Sequence, residues 1–123
     1  MNRAIAICFM LVGHVAAADK IYHASVSVTP SNVRSVYDGD TFSIDIPSWP
    51  DVAGKGISVR VYGIDTPERN DQRPAVKALA ASAREHTVSR LRSAKSIELL
   101  DVRRDKYFRL LAVVVIVPPV PMV

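Results

Sequence analysis

Cysteine is almost absent from this chain, because Cys8 is the only one among its 123 residues. Cys8 lies in an apolar stretch, residues 4–15, which follows Arg3 and precedes the three alanines 16–18. A short basic start, an apolar run and a small-residue site are typical of a cleaved export signal. We therefore expect residues 1–18 to be a signal peptide, and its removal would leave a mature chain with neither cysteine nor disulfide.

Long apolar segments and internal repeats are also lacking. The apolar stretch 4–15 is too short for a comfortable membrane span, and 123 residues suit a single domain. We expect that domain to occupy residues 19–117, with a proline-rich tail at 118–123 that cannot form a helix or an inner strand. The sequence thus predicts a secreted or periplasmic protein with no membrane span once the signal is removed.

Acidic residues are outnumbered by basic ones, 12 against 16, which gives a formal net charge of +4. A basic balance suits a polyanionic partner such as nucleic acid. A basic balance can also serve solubility alone, so the net charge does not decide between a nucleic-acid partner and simple solubility.

The hydrophobic pattern predicts mainly strands with one helix. Alternating apolar residues indicate strands, and an alanine-rich stretch that begins at Pro74 has helical spacing to about Ser93. A possible edge segment covers residues 24–28, and residues 47–56 read as a loop. Three strands, one helix and two strands are the order of a five-stranded OB-fold barrel, an α+β class that is mainly β. The five predicted strands are 33–37, 41–46, 58–64, 96–102 and 109–117.

Charged residues cluster at three predicted turns. Asp38-Gly39 is a tight-turn signal that places Asp40 at the start of a returning strand. The segment 60–68 ends a strand with two acids, and the segment 105–109 is a charged turn before an apolar run. A small barrel could bring the three turns to one rim. The alternative is a set of surface charges that merely pair.

The three segments in order, D-G-D-T at 38–41, R-V-Y-G-I-D-T-P-E at 60–68 and D-K-Y-F-R at 105–109, resemble the thermonuclease (staphylococcal-nuclease-like) family. The resemblance covers about residues 33–114. It implies the same OB-fold and a Ca²⁺-dependent nuclease that cleaves DNA and RNA with low sequence specificity and leaves 3′-phosphate ends.

The resemblance also implies a metal site. Asp40 and Asp65 match the carboxylates that bind Ca²⁺, and the backbone carbonyl of Thr66 matches a further ligand. Oxygen ligands of this kind suit Ca²⁺, and a hard cation relieves the repulsion between two neighbouring carboxylates. Asp38, in contrast, is expected to be structural, with its carboxylate bonded to backbone N–H groups of the turn.

The catalytic roles follow from the same resemblance. Glu68 matches the general base for the attacking water, and Arg60 and Arg109 match the arginines that clamp the phosphate. A guanidinium suits that role because it stays charged and can bond two phosphate oxygens. Lys106 and Tyr107 match positions that contact the nucleotide.

Two departures from the family pattern leave rival interpretations open. Phe108 stands where the family usually has glycine, which costs roughly 1 kcal/mol if the backbone there needs a positive φ. Members of the family also continue into further helices after the last strand, and the sequence predicts none here. The rivals are therefore an inactive truncated nuclease and a non-catalytic OB-fold module that binds single-stranded nucleic acid.

Overall fold

The computed structural model describes residues 24–121, so the predicted signal peptide and Cys8 lie outside the described part. The fold is a curled, half-barrel sheet of six strands with one long helix, which confirms the OB-like, mainly β class. The elements in chain order are β1 (Val26–Val28), a 3₁₀ turn (Pro30–Asn32), β2 (Val33–Asp38), β3 (Thr41–Ile44), α1 (Asp51–Gly54), β4 (Ile57–Val61), α2 (Pro74–Arg92), β5 (Ser96–Arg104) and β6 (Leu110–Val117).

The sheet has the order β1-β5-β6-β4-β3-β2, and its neighbours are antiparallel except for the parallel pair β4 and β6. The sixth strand is β1, the segment that the sequence indicated only as a possible edge, and it pairs with β5. Its three residues alternate between buried and exposed, as the sequence pattern of the segment indicated. The predicted loop 47–56 contains α1, a single helical turn.

The core lies on the concave side of the sheet. Alternate residues of the strands are buried there, because successive side chains of a strand point to opposite faces. Val59 and Val61 are buried, whereas Arg60 between them faces the other side. The largest fully buried side chains are Phe42, Ile44, Ile46, Val59, Leu91, Ile97, Leu99 and Leu110.

Helix α2 begins at Pro74 in its first turn, where the missing N–H costs no hydrogen bond. It packs on the hairpin of β2 and β3, and two side chains bond the hairpin backbone. Arg84 Nε donates to the carbonyl of Val36 at 2.9 Å, and Thr87 Oγ1 donates to that of Gly39 at 2.7 Å. These bonds fix the hairpin turn against the helix.

Gly39 sits where the turn, the helix and the loop after β4 meet. A Cβ atom there would lie 2.8 Å from Thr66 Cγ2 and 3.0 Å from Ala83 Cβ. Only glycine allows this approach, which brings the backbone of Thr66 to the acids of the turn. Among residues 24–121, neither helix is both long and apolar enough to cross a bilayer.

Candidate active site

Asp38 and Asp40 form a buried acid pair at the turn between β2 and β3. Each residue is only 3% exposed. The backbone N–H of Asp40 donates to Asp38 Oδ1 at 3.2 Å, as predicted for a structural turn residue. Asp38 also faces the carboxyl group of Asp40, which the sequence analysis did not anticipate.

Burial and the neighbouring carboxyl separate the two pKa values. Burial, followed by the hydrogen bond and the charge of Asp40, raises the pKa of Asp38 to about 6. Burial also acts to raise the pKa of Asp40. Four interactions outweigh burial and hold the pKa of Asp40 below its usual value. They are the hydrogen bonds from Asp38, the Thr66 amide and the Thr41 hydroxyl, and the charge of Arg60. Below about pH 6 the pair therefore favours one ionised carboxylate, Asp40, and one protonated partner, Asp38.

Arg60 joins the end of β4 to the acid pair and to the loop that follows. Its Nη1 lies 3.0 Å from Asp40 Oδ2 and donates to the carbonyl of Ile64 at 2.7 Å. Its Nη2 lies 3.4 Å from Asp65 Oδ1. The guanidinium thus lies between Asp40 and Asp65, and its bond to Ile64 holds the backbone next to Asp65.

The loop after β4, residues 62–73, carries the other predicted acids, Asp65 and Glu68. The backbone N–H of Thr66 donates to Asp40 Oδ2 at 3.1 Å, which anchors this loop to the acid pair. The Asp65 side chain is 89% exposed. Glu68 is also exposed, and its charge is the smallest contribution to the raised pKa of Asp38. Both acids therefore border the pair, and both face solvent.

Arg109 belongs to a second cluster in the turn between β5 and β6. Its Nε donates to Asp105 Oδ2 at 2.7 Å, and Asp105 Oδ1 accepts from the backbone N–H groups of Tyr107 and Arg109. The ring of Tyr107 lies under both basic neighbours, at 5.0 Å from Lys106 Nζ and 5.2 Å from Arg109 Cζ. Within residues 24–121, no hydrogen bond or ion pair joins this cluster to Arg60.

The parallel pairing of β4 and β6 nevertheless brings the two arginines near each other. Arg60 is paired with Leu111, and Arg109 precedes Leu111 by two residues. Ideal spacings of about 4.8 Å between strands and about 3.3 Å per residue correspond to a separation of about 8 Å between the two Cα atoms. Arg109 itself lies just before β6, and its side chain is turned to Asp105.

Phe108 adopts the left-handed conformation that the sequence analysis identified as costly. Its φ is +63°, and its side chain packs little, since the residue is 83% exposed. Its carbonyl accepts a 2.7 Å bond from Arg104 Nη1. Arg109 is still held by Asp105, so the turn keeps its shape in spite of the unfavourable residue.

Tyr37, Arg69 and Asn70 form a clamp that the sequence analysis missed. Asn70 Nδ2 donates to the Tyr37 hydroxyl at 3.1 Å, and Arg69 Cζ lies 4.8 Å from the centre of the Tyr37 ring. The clamp ties the end of the 62–73 loop to β2, next to Asp38. No local pattern predicts it, because Tyr37 and Asn70 are 33 positions apart.

The donor chemistry fits a hard cation at Asp40 and Thr66. The Thr66 hydroxyl oxygen, a different atom from the backbone carbonyl that the resemblance implies as a ligand, is buried and has no hydrogen-bond partner among the described residues. The predicted pairing of Asp40 with Asp65, however, is interrupted by Arg60, because one guanidinium can bond two carboxylates. Within residues 24–121, no three acidic, histidine or cysteine side chains are grouped closely enough to hold a metal ion.

Comparison with known families agrees with this geometry. The family model described as staphylococcal nuclease homologue matches residues 58–119, about half of the chain. That range includes Arg60, the 62–73 loop and the Arg109 turn. No curated protein matches the chain closely enough to count as a relative. The chain belongs to the family of staphylococcal nuclease homologues.

Proposed function

We propose that this protein is a Ca²⁺-dependent phosphodiester hydrolase that cleaves DNA and RNA with low sequence specificity. The observation that carries the proposal is the contact of Arg60 with the buried Asp40 and with Asp65. It places a guanidinium, a buried carboxylate and an exposed carboxylate within one small region. Membership of a nuclease family supports the same reaction class.

A phosphodiester resists hydrolysis because its charge repels the nucleophile and its leaving group is poor. A site must therefore place positive charge at the phosphate oxygens and orient a water molecule. In our proposal Arg60 leaves the two carboxylates to bond the phosphate together with Arg109, and Glu68 accepts the proton of the water. Asp40 and Thr66, with Asp65, would hold Ca²⁺, which when bound supplies further positive charge at the phosphate.

Low sequence specificity follows from the groups that would touch the substrate. Guanidinium groups contact phosphates, which every nucleotide carries. Tyr107 and Lys106 are exposed beside Arg109, and a tyrosine ring can stack on any base. We assign them the substrate contact.

The test is cleavage of single-stranded DNA and RNA by the purified protein, in Ca²⁺ and in EDTA. We expect cleavage of both substrates in Ca²⁺ only. Arg109→Ala should lower the rate roughly 100-fold, the loss typical of one preorganised donor. Glu68→Gln should slow turnover while single-stranded DNA affinity stays near that of the parent. Asp51→Asn, an exposed acid of α1, is the matched control and should cleave normally.

A non-catalytic nucleic-acid-binding module is the second candidate. Two observations favour it: the Asp65 side chain is 89% exposed, and within residues 24–121 no three acidic, histidine or cysteine side chains are grouped closely enough to hold a metal ion. A module would bind single-stranded DNA equally in Ca²⁺ and EDTA and would cut neither substrate in either buffer. Cleavage that requires Ca²⁺ would exclude this candidate.

We also propose that the protein is exported and that residues 1–18 are removed. The sequence pattern of those residues supports this, and they lie outside the described part of the structure. Mass spectrometry of the periplasmic or extracellular fraction should find Asp19 at the N-terminus. Soluble cytoplasmic protein that retains Met1 would contradict export.

A further inference from the structure

A polar groove lies between β2 and the C-terminal half of α2. Its volume is about 230 Å³. Its charged lining residues are three arginines, Arg34 from the strand and Arg84 and Arg92 from the helix, and no acidic residue lines it. A separate apolar cavity of about 170 Å³ is bordered by Arg90 and His86, and Leu91 lines both this cavity and the groove.

The three guanidinium groups retain unused hydrogen-bond donors. A guanidinium has five N–H donors. Arg34 uses Nε to bond Asp45 at 2.6 Å, and Arg84 uses Nε for Val36 and one donor for Glu85. The Arg92 side chain makes no hydrogen bond or ion pair with any residue of the described chain, and it is exposed. Each arginine can therefore bond an anion without breaking its present contacts.

Apolar side chains also line the groove: Val33 and Val36 from β2 and Val88 from α2. Planar guanidinium groups match the spacing of phosphate oxygens, so a phosphate is the anion that this lining fits best.

The groove begins beside the candidate active site. Arg84 bonds the carbonyl of Val36, and Val36 precedes Asp38 by two residues, which is about 7 Å along a strand. From there the groove follows β2 back to Pro30. A polyanion that reaches the acid pair could continue into it.

We propose that this groove binds backbone phosphates of a single-stranded nucleic acid and so lengthens the path of the strand beyond the acid pair. The inference rests on the proposed function for the direction of the strand. It does not need cleavage, since phosphate binding by the three arginines involves no catalytic residue.

The test is the affinity of a fluorescently labelled single-stranded oligonucleotide, measured in EDTA over a series of salt concentrations. Arg92→Gln should weaken binding about three- to tenfold and lower the salt slope by about 0.7, the value for one lost phosphate contact. Arg92→Lys should restore the salt slope while recovering only part of the affinity, because it keeps the charge and loses the planar donors.

Arg90→Gln is the matched control. It removes the same charge from the same helical turn, and the two residues point about 200° apart around the helix axis. Arg90 borders the apolar cavity instead of the groove. Equal losses of affinity in Arg90→Gln and Arg92→Gln would overturn the proposal, since a general effect of charge would then suffice.

Inorganic phosphate provides the second arm of the experiment. An Arg92 effect on binding of inorganic phosphate alone, with unchanged oligonucleotide affinity, would mean a small-anion site and would overturn the proposal.

Cleavage of nucleic acid is measured separately. An Arg92-dependent affinity in a protein that cuts no nucleic acid would keep this inference and reject the hydrolase, whereas normal cleavage with an unchanged Arg92→Gln affinity would reject only this inference.

Discussion

At Asp38 the protein keeps a carboxyl group almost entirely out of water and hydrogen-bonded to a second carboxyl group. With its pKa raised to about 6, folded Asp38 keeps a proton at pH values where the unfolded chain, with a pKa near 3.8, has lost it. The contribution of Asp38 to the free energy of unfolding is therefore largest at low pH and falls as the pH rises from about 4 to 6.

Asp38→Asn should remove that fall. The amide keeps an acceptor for the Asp40 N–H and offers a permanent donor to the Asp40 carboxylate. Relative to the parent, the variant should gain about 1–3 kcal/mol between pH 4 and pH 7. Urea denaturation of both proteins in EDTA measures the difference, with Asp51→Asn as the control. An equal difference at both pH values would show that Asp38 titrates normally in the folded protein.

Phe108 offers a second test on a single residue. A left-handed φ costs a non-glycine residue about 1–2 kcal/mol, and the added freedom of glycine in the unfolded chain offsets about 0.4–1 kcal/mol of that. Phe108→Gly should therefore stabilise the protein by about 0.5–1 kcal/mol, because the exposed ring loses little packing. Lys106→Gly, two positions earlier in the same turn, should not stabilise. Equal destabilisation of both variants in thermal or urea unfolding would contradict the account.

At the scale of elements, the 62–73 loop is held at both ends of its acidic stretch. Thr66 bonds Asp40 at the start, and the clamp of Tyr37, Arg69 and Asn70 holds the end.

Tyr37→Ala should increase amide hydrogen exchange across the loop severalfold, because it removes the clamp. Tyr37→Phe should have a smaller effect, because it keeps the ring for Arg69. Tyr107→Ala, another exposed tyrosine beside an arginine, is the control, and unchanged exchange in Tyr37→Ala would mean that the clamp does not hold the loop.

The elements that the sequence predicted best are those with a clear period. Alternation located β2, β3 and β4 within a few residues, and the alanine-rich pattern located α2. The possible edge segment at 24–28 contains the edge strand β1. β5 runs to Arg104, beyond the predicted end at 102, because it continues through an irregularity where Asp101 has a φ of +51°.

For the whole molecule, three separated motifs were enough to predict the fold class and the family. The sequence could not predict which groups Arg60 contacts, because those contacts depend on how the 62–73 loop closes over the hairpin turn. The buried character of Asp38 and the Tyr37 clamp depend on the same closure. The types of residue at the candidate site can thus be predicted from the sequence, whereas the contacts between those residues are seen only in the three-dimensional structure.

The central claim is that the buried carboxylate of Asp40 makes this protein a Ca²⁺-dependent hydrolase. The most direct measurement is the Ca²⁺-dependent cleavage rate of a single-stranded oligonucleotide by Asp40→Asn, compared with the parent and with Asp51→Asn. We expect the parent and Asp51→Asn to cut at similar rates and Asp40→Asn to lose at least about 100-fold, because it removes the ionised ligand from the site. Equal cleavage by the folded Asp40→Asn variant and the parent would contradict the claim, and so would a parent that cuts nothing in Ca²⁺.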